Sequence, residues 1–312
     1  MLSMTQSYSM CVIAVVVTYQ PPLEVLEHLL DELIPLVDSV VLVDNGSHAD
    51  LAVWIRERQI ESVELILLGE NKGIAAAHNA GIQWARDHRA EFVLLMDQDS
   101  IPAPDMVFRL LAAMRQIANQ GIKVAAVGPR YLDERNTEHP SFIRVSGLKV
   151  DQRLCRPSEE IVESDILISS GSLISLVALE EVGGPLNALF IGQVDLEWCL
   201  RAKSLGYSLF GACNALLYHS LGEAPKRFLG RKFLHHGPLR HYYIFRNAVW
   251  LLFRKYVPMG WKLLIIRMIF IRLLVYVCLV SPRLTFLTMM TKGIWHGLNK
   301  KLGKFEMHNV MV

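Results

Sequence analysis

Short apolar runs recur along the first part of the chain and are separated by longer segments with helical periodicity. The strand-like runs are rich in Val, Ile and Leu and occupy residues 11–17, 39–43, 63–68, 92–96 and 124–127. Between them, segments such as 23–37 and 74–88 repeat apolar residues with the period of an α-helix. Strands that alternate with helices predict an α/β fold in which a mostly parallel sheet is covered by helices on both faces.

Polar loops follow the carboxyl ends of the first four predicted strands. Their sequences are, in chain order, TYQPP, DNGS, GENKG and DQDS. Turns in any α/β protein use Asn, Gly and Asp, but parallel strands bring their carboxyl ends to one edge, where such folds bind ligands. Four such loops in order predict a nucleotide-sized site at that edge. The glycine-rich third loop also enters a helix whose free N–H groups suit a diphosphate.

The periodic pattern weakens at residues 129–165, which we interpret as a surface excursion with a hairpin about Gly147. Further on, the run at 263–280 is apolar and long enough to cross a bilayer, but it contains Arg267 and Arg272. These arginines lie about 140° apart around a helix and define no single polar face. We favour a helix in the membrane interface, with both arginines reaching towards anionic headgroups; a buried helical appendage and a true span are the alternatives.

Charge divides the chain of 312 residues into two unequal parts, although the formal net charge is only +2. Residues 1–223 contain 29 Asp and Glu against 16 Lys and Arg, whereas residues 224–305 contain 16 Lys and Arg and no acid. This predicts one domain over 1–223 and a basic helical region over 224–312 that associates with an anionic membrane surface. Nucleic acid is not expected as a partner, because Leu, Ile and Phe interleave the basic residues. The sequence gives no indication of the oligomeric state.

Five cysteines are spread through the chain without any C-x-x-C pair, and Cys11 and Cys278 lie inside apolar runs. This distribution predicts a reducing compartment and reduced, buried thiols. The apolar run MCVIAVVV near the amino terminus has no preceding basic residue and no following small-residue cleavage site. We therefore expect it to be a buried strand and not a signal peptide.

Asp97 and Asp99 follow an apolar strand directly, although two carboxylates so close repel each other and are costly to desolvate. A divalent cation would remove this difficulty. Mg²⁺ and Mn²⁺ prefer hard oxygen ligands and commonly bind one or two carboxylates together with substrate phosphates. A D-x-D pair after an apolar strand also occurs in the aspartyl-type phosphohydrolases, in which the first aspartate is a nucleophile. The threonine that usually follows the second aspartate in that motif is absent here, where Ile101 and Pro102 follow Ser100.

Five motifs, in this order, resemble those of the family 2 inverting glycosyltransferases from about residue 11 to 220. They are VVVTYQP at 15–21, VDNGS at 43–47, NKGIAAAHNAGI at 71–82, LLMDQDS at 94–100 and VDLEWCLRAKSLGYSL at 194–209. DQDS, together with SSGSLIS, YHSLG and YYIFRN, is most similar to the bacterial rhamnosyltransferase branch, which builds surface polysaccharide. The resemblance implies a GT-A type, Rossmann-like nucleotide-diphospho-sugar transferase fold.

The same resemblance implies roles for residues at the strand ends. Thr18, Tyr19 and Asp44 would contact the nucleobase and ribose, and Asp97 would lie near the ribose. Asp99 would hold Mg²⁺ or Mn²⁺ against the diphosphate of the donor.

Three further residues are implied near the donor. Asn71 and Lys72 would lie close to the nucleotide pocket, and His219 would be a second metal ligand or contact the leaving diphosphate. For Lys72 a solvated loop position is the alternative, and a lone histidine at a strand end is commonly structural.

An inverting transfer needs a carboxylate that takes the proton of the acceptor hydroxyl. Asp195 falls where the related transferases carry this base, and Glu197 is the alternative; on a helix the two point in different directions. The alternative for Asp195 is that it caps the following helix, which ends at Gly206. Members of the rhamnosyltransferase branch commonly have an acid where this chain has Gly192, so no second acid is expected there.

Basic side chains beyond residue 223 suggest further contacts. Arg240 and Arg246 would approach phosphate, anionic lipid or glycan, or else form a solvated basic face. His235 and His236 adjoin a basic stretch and are expected on the surface.

The resulting hypothesis is a metal-dependent glycosyltransferase that moves L-rhamnose from dTDP-L-rhamnose to a lipid-linked or lipopolysaccharide glycan. It would act peripherally at the cytoplasmic face of a bacterial inner membrane. The alternatives are a family 2 transferase for another UDP- or GDP-sugar, a phosphohydrolase that uses Asp97 and Asp99, and a non-catalytic nucleotide-binding or scaffold protein.

Overall fold

A computed structural model describes residues 10–60, 62–132, 142–147, 149–156, 159–219, 226–228, 231–233 and 236–306, with backbone alone for His219 and for the two short segments before residue 236. The strands are β1 Val12–Thr18, β2 Ser39–Asp44, β3 Val63–Leu67, β4 Phe92–Asp97, β5 Ser100–Pro102, β6 Val124–Leu132, β7 Phe142–Ser146, β8 Lys149–Arg153, β9 Ile161–Ser164, β10 Leu173–Ser175, β11 Ser208–His219, β12 Lys226–Phe228 and β13 Arg231–Phe233. The helices are α1 Leu23–Leu33, α2 Leu51–Glu57, α3 Ile74–Asp87, α4 Met106–Ala118, α5 Leu176–Val182, α6 Val194–Ser204, α7 Pro238–Leu252, α8 Met259–Leu279 and α9 Arg283–Leu298.

The main sheet has the strand order β3-β2-β1-β4-β10-β6-β11-β5, and β9 also pairs with β11. Neighbouring strands from β3 to β4 run parallel. Beyond β4 the sheet is mixed, because β10 runs antiparallel to both of its neighbours whereas β6 and β11 are parallel. The five strands predicted from the apolar runs are all present. The structure adds the antiparallel strand β10, which lies between two of them.

Strand β1 is buried on both faces, because its alternate residues belong to different cores. Ile13, Val15 and Val17 face the core that contains α3 and α5. Val12, Ala14 and Val16 face the core that contains α1 and α4. The expected coverage of the sheet by helices on both faces is confirmed, and the apolar run near the amino terminus forms this central strand.

The excursion after β6 contains the predicted hairpin. Strands β7 and β8 pair antiparallel, and Gly147 adopts a φ of +60° in the turn between them. Residues 133–141 of the predicted excursion lie outside the described residues.

Helix α8 and the segment before it pack against the sheet domain through polar contacts. The Tyr256 hydroxyl donates a hydrogen bond to Glu197 on α6 over 2.7 Å. On α8, the Trp261 indole N–H donates to Asp165 over 3.2 Å. Gly260 lies so close to the Gly147 carbonyl that a Cβ atom there would lie 1.9 Å from it. The basic region predicted over 224–312 therefore shares an extensive interface with the sheet domain.

Helix α8 covers the predicted apolar run and presents different residues to the protein and to solvent. Trp261, Ile265 and Tyr276 are buried, whereas Arg267 is exposed. Among the helices of the described ranges, none is both long and apolar enough to traverse a membrane.

The expectation that all thiols are reduced and buried is wrong for three cysteines. Cys155 and Cys213 form a disulfide with Cα atoms 5.4 Å apart, linking the segment after β8 to β11. Cys278 is a free cysteine but is exposed on α8. The sequence could not reveal the disulfide, because its cysteines are separated by 58 residues and meet only when β9 pairs with β11.

Candidate active site

A pocket of about 440 Å³ opens at the carboxyl ends of the parallel strands. This volume lies within the range of small-molecule sites. The ionisable and polar side chains that matter most for chemistry there are Tyr19, Asn71, Asp97, Asp99, Asp195 and Arg240. The structure thus brings residues that are far apart in the sequence to the predicted edge of the sheet.

The first three residues of the DQDS loop line the pocket. Asp97 is the last residue of β4 and is partly buried, whereas Asp99 is exposed. Gln98 between them accepts a hydrogen bond from the Tyr19 backbone N–H over 2.7 Å and donates one to the Tyr19 carbonyl over 3.3 Å. Gln98 therefore joins the loop after β4 to the loop after β1, a role that the sequence analysis missed.

The Asp97 carboxyl lies in a strongly unfavourable electrostatic environment. Burial, followed by the neighbouring charges of Asp99 and Asp195, raises its pKa to about 7, and the charge of Arg240 opposes this rise. A carboxyl with this pKa is about half protonated at neutral pH. Positive charge that enters the pocket would favour its ionised form, as expected for a cation site.

Thr18 and Asp44 lie beneath the pocket surface. Both side chains are buried, and the Thr18 hydroxyl donates to Asp44 over 3.2 Å. Asp44 also accepts from the backbone N–H and the hydroxyl of Ser47, at 3.0 and 2.5 Å. These bonds fix the DNGS turn beneath the pocket, while the adjacent Tyr19 is exposed in the pocket wall.

Asn45 connects the second and third polar loops. Its amide N–H donates to Asn71 over 3.3 Å, and its amide oxygen accepts from the Lys72 backbone N–H over 2.8 Å. Asn45 and Asn71 both line the pocket, whereas the Lys72 side chain is exposed and is not part of the wall. Asn45 was missed by the sequence analysis because Asn in a DNG turn is common for conformational reasons alone.

Asp195 lines the same pocket as the strand-end aspartates. It occupies the first turn of α6, whose N-cap residue is Gln193, so Asp195 does not cap the helix. The Ser169 hydroxyl donates a hydrogen bond to its carboxylate. Burial raises the pKa of Asp195, and the Ser169 bond and the Arg240 charge moderate this rise. A raised pKa suits a residue that must accept a proton near neutral pH.

Glu197, the alternative base, has a different environment. Its side chain is fully buried and is paired with Arg201 at 2.8 and 3.0 Å. It also accepts the hydrogen bond from Tyr256 and does not line the pocket. Glu197 therefore joins α6 to the segment before α8, while Asp195 faces the cavity.

The loop at residues 187–193 forms a wall of the pocket and has an unusual backbone. Phe190, Gly192 and Gln193 have φ values of +62°, +78° and +62°. Positive φ is costly for residues other than glycine, at about 1–3 kcal/mol each where the conformation is sparsely populated. Glycine is the residue that suits such a φ best, which gives a local reason for Gly192.

Arg246 and Asn247 on α7 hold this loop in place. Both are completely buried. Arg246 donates to the carbonyls of Ala188, Leu189 and Gly303, and Asn247 donates to those of Leu189, Ile191 and Gly192. The Arg246 guanidinium also lies 4.9 Å from the ring centre of Tyr243. Arg246 is thus an internal brace, and a solvated or ligand-binding role for it is excluded by its burial.

The amino-terminal end of α7 borders the pocket. Arg240 is exposed and lines the cavity, as does His236, which had been expected on the surface. The backbone of His219 pairs with Ser100, immediately after Asp99. Its side chain, the predicted second metal ligand, and His235 lie outside the described residues. Within the described side chains, no group of three or more His, Cys, Asp or Glu forms a metal site.

Comparison with known proteins identifies the family of the chain. Residues 13–172 match the family profile described as glycosyl transferase family 2. The chain is also 34% identical over 248 residues to "dTDP-rhamnosyl transferase RfbF" of Shigella flexneri, covering 79% of this chain and 81% of that protein. The chain belongs to glycosyl transferase family 2. It is accordingly a glycosyltransferase, and the phosphohydrolase and non-catalytic alternatives receive no support.

Solved structures of low sequence identity share the fold of this family 2 enzyme. TarS residues 1–349 of S. aureus, in complex with UDP-GlcNAc, is 15% identical with a TM-score of 0.60, over 94% of this chain and 82% of that one. GalNAc-T7 with UDP, GalNAc and Mn²⁺ is 13% identical with a TM-score of 0.58, over 93% and 56%. The chain spans 44% of a longer TarS structure. The predicted GT-A type fold is confirmed.

The environment of Glu197 leads to a stability prediction. Glu197→Gln should lower the free energy of unfolding by about 3–5 kcal/mol, because it leaves Arg201 without its charged partner inside the protein. Urea denaturation would measure the change. Glu180→Gln, at an exposed position on α5, is the matched control and should remain within about 0.5 kcal/mol of the parent protein. A fully stable Glu197→Gln enzyme that had lost turnover would contradict the structural role.

Proposed function

We propose that this family 2 enzyme transfers L-rhamnose from dTDP-L-rhamnose to a hydroxyl group of a lipid-linked or lipopolysaccharide glycan, with inversion at the anomeric carbon. The observation that carries the proposal is that Asp195 shares one pocket with Asp97 and Asp99. The name of the S. flexneri relative supports the donor, and another UDP- or GDP-sugar remains the alternative. The reaction would occur at the cytoplasmic face of a bacterial inner membrane.

The nucleotide would bind across the loops that follow the parallel strands. Tyr19 is exposed at the end of β1 and would contact the nucleobase, above the Thr18–Asp44 pair that fixes the neighbouring turn. Asp97 would lie near the ribose. Asn71 would contact the nucleotide from the third loop, with Lys72 positioned beside it through its backbone bond to Asn45.

Asp195 would act as the general base. Its carboxylate takes the proton of the acceptor hydroxyl while that oxygen forms a bond to the anomeric carbon of the donor. The bond between the anomeric carbon and the diphosphate oxygen breaks at the same time, and the nucleoside diphosphate leaves with the electron pair. The hydrogen bond from Ser169 would orient the carboxylate for this step.

The chemistry of the donor set fits a divalent cation. Asp97 and Asp99 contribute hard carboxylate oxygens to the pocket, and burial together with the charges of Asp99 and Asp195 raises the pKa of Asp97. Asp99 would hold Mg²⁺ or Mn²⁺ against the diphosphate, with His219 as a further ligand. Such an ion stabilises the negative charge of a departing phosphate as a Lewis acid.

The role of Asp195 can be separated from donor binding. Asp195→Asn should lower turnover of dTDP-L-rhamnose by about 10²–10⁴-fold, because the amide cannot accept the proton. Its affinity for dTDP should stay unchanged. Release of dTDP in the presence of Mn²⁺ and a glycan acceptor would measure the first, and calorimetric titration the second. Turnover by this variant at the parent rate would overturn the assignment of Asp195 as the base. Turnover of a UDP- or GDP-sugar, but not of dTDP-L-rhamnose, by the parent protein would overturn the donor assignment.

The metal role is tested without turnover. Mn²⁺ should raise the affinity of the parent protein for dTDP, and Asp99→Asn should abolish this enhancement because a neutral amide binds a divalent cation poorly. Calorimetric titration with and without EDTA would measure both affinities. Asp105→Asn removes an exposed carboxylate that is paired with Arg109 outside the pocket, and it should keep the enhancement. An equal enhancement in both variants would argue against Asp99 as a ligand.

Helix α8 would attach the enzyme to an anionic membrane surface. Met259, Leu263, Ile266, Phe270 and Leu274 recur every three or four residues along the helix, and all of them are exposed. We call this row the α8 apolar stripe. It lies in the part of the chain with 16 basic residues and no acid before Glu306. Apolar insertion together with attraction to anionic lipids is the usual basis of interfacial binding.

Replacement of two residues in the α8 apolar stripe should weaken membrane binding. Ile266→Ser combined with Phe270→Ser should lower the partition coefficient on vesicles containing anionic lipid by about tenfold or more, since each side chain contributes apolar burial. Sedimentation with the vesicles would measure it. Phe108→Ser removes an equally exposed aromatic ring from α4 and should have no effect. Equal sedimentation of all three proteins would refute attachment through α8.

A further inference from the structure

The two arginines in the apolar run of α8 have different surroundings. Arg267 is exposed, as expected for a side chain that reaches into solvent or headgroups. Arg272 is partly buried, and its Nη1 atom is inaccessible to solvent without any hydrogen-bond partner in the described residues. A buried guanidinium nitrogen without a partner is costly. Arg272 therefore has a buried donor that no group of the described residues accepts.

Arg272 lies on the face of α8 that meets the start of α7. Tyr276, one helical turn further, shares this face and is buried, with its ring centre 4.0 Å from that of His241. The Tyr276 hydroxyl also hydrogen-bonds the backbone of His236. The segment from His236 to Arg240 contributes both of these residues to the pocket wall. Arg272 thus lies beside the α7 end of the active site, away from the exposed Arg267.

Arg240 and Arg272 are close enough to affect each other. The charge of Arg240 lowers the pKa of Arg272, to which burial contributes most. Arg240 also acts on Asp97 and Asp195, so it faces the carboxylates of the pocket. Among the described ion pairs, none includes Arg272. Arg240 directly precedes His241, whose ring centre lies 4.0 Å from that of Tyr276, and Tyr276 follows Arg272 by one helical turn. Two arginines on the same side of a pocket are suited to a multiply charged anion.

We propose that Arg240 and Arg272 form a diphosphate-binding site at the α7–α8 side of the pocket. The inference rests on the proposed function, in which a diphosphate occurs twice: in the nucleotide-sugar donor and in a lipid-linked acceptor. A guanidinium group binds phosphate oxygens through two parallel N–H groups, and a diphosphate offers enough oxygens for both arginines. At the donor diphosphate, these charges would stabilise the leaving group. At the acceptor diphosphate, they would position a lipid whose chain runs along the α8 apolar stripe.

The site is tested first by binding in the absence of membranes. Arg240→Gln and Arg272→Gln should each weaken binding of dTDP or inorganic pyrophosphate by about tenfold or more in calorimetric titration. Arg267→Gln removes the same charge from the exposed side of the same helix and should leave both affinities unchanged. Because Arg240 is exposed, its variant should keep the parent melting temperature even if Arg272→Gln lowers it.

Steady-state kinetics identifies the source of the diphosphate. Raised KM for the nucleotide-sugar together with weakened dTDP binding assigns the site to the donor. The site is assigned to the acceptor if the variants bind dTDP as the parent does but bind pyrophosphate more weakly. Their KM should then be raised for a lipid-diphosphate acceptor and not for a soluble glycan acceptor. The proposal is overturned if a folded double variant, Arg240→Gln with Arg272→Gln, keeps the parent affinities for dTDP and pyrophosphate and the parent KM values for donor and acceptor.

Failure of the proposed function would be recognised separately. In that case the parent protein turns over none of the nucleotide-sugars, and its binding of pyrophosphate and dTDP still reports on the two arginines. Loss of that binding in the variants would then support the diphosphate site and reject only the transfer reaction.

Discussion

The hydrogen bonds from Arg246 and Asn247 to main-chain carbonyls are the interaction on which the active site depends most. They hold a loop that contains two non-glycine residues with positive φ, and this loop leads directly into the turn of α6 that carries Asp195. A guanidinium buried without an acid partner is stable only when carbonyl oxygens replace the water that it has lost. The hydrogen bonds from α7 fix the conformation of the loop, and the carbonyl oxygens of the loop in turn accept from the buried Arg246 guanidinium of α7.

The division of charge along the sequence does not correspond to a division in space. The acidic part contributes three carboxylates to the pocket, and the basic part contributes Arg240 to the same pocket. Arg246 donates to the Ala188 and Leu189 carbonyls of the acidic part, and Lys304 pairs with Glu70 of the third polar loop at 2.8 Å. The C-terminal helices thus complete the active site in addition to presenting an apolar face to solvent.

Much of the fold could be predicted from the sequence because its main signals are local. Apolar runs identify strands, and an aspartate directly after a run must lie at a strand end, so the positions of Asp97 and Asp99 follow from their neighbours. The choice between Asp195 and Glu197 could not be made in this way. It depends on Tyr256, which is remote in the chain and donates a hydrogen bond to Glu197 in the folded protein. The contrast between Arg267 and Arg272 has the same origin, since only the packing of α8 on α7 distinguishes them.

The brace also determines when during synthesis the active site can form. The loop at residues 187–193 leaves the ribosome well before Arg246, and Gly303, which accepts a hydrogen bond from Arg246 and donates one to the Ala188 carbonyl, follows later still. At typical translation rates the interval between the loop and Gly303 is roughly 5–20 s. During that time the loop lacks the contacts from Arg246 and Gly303 that hold it. This wall of the pocket is therefore complete only after the last helices have been made.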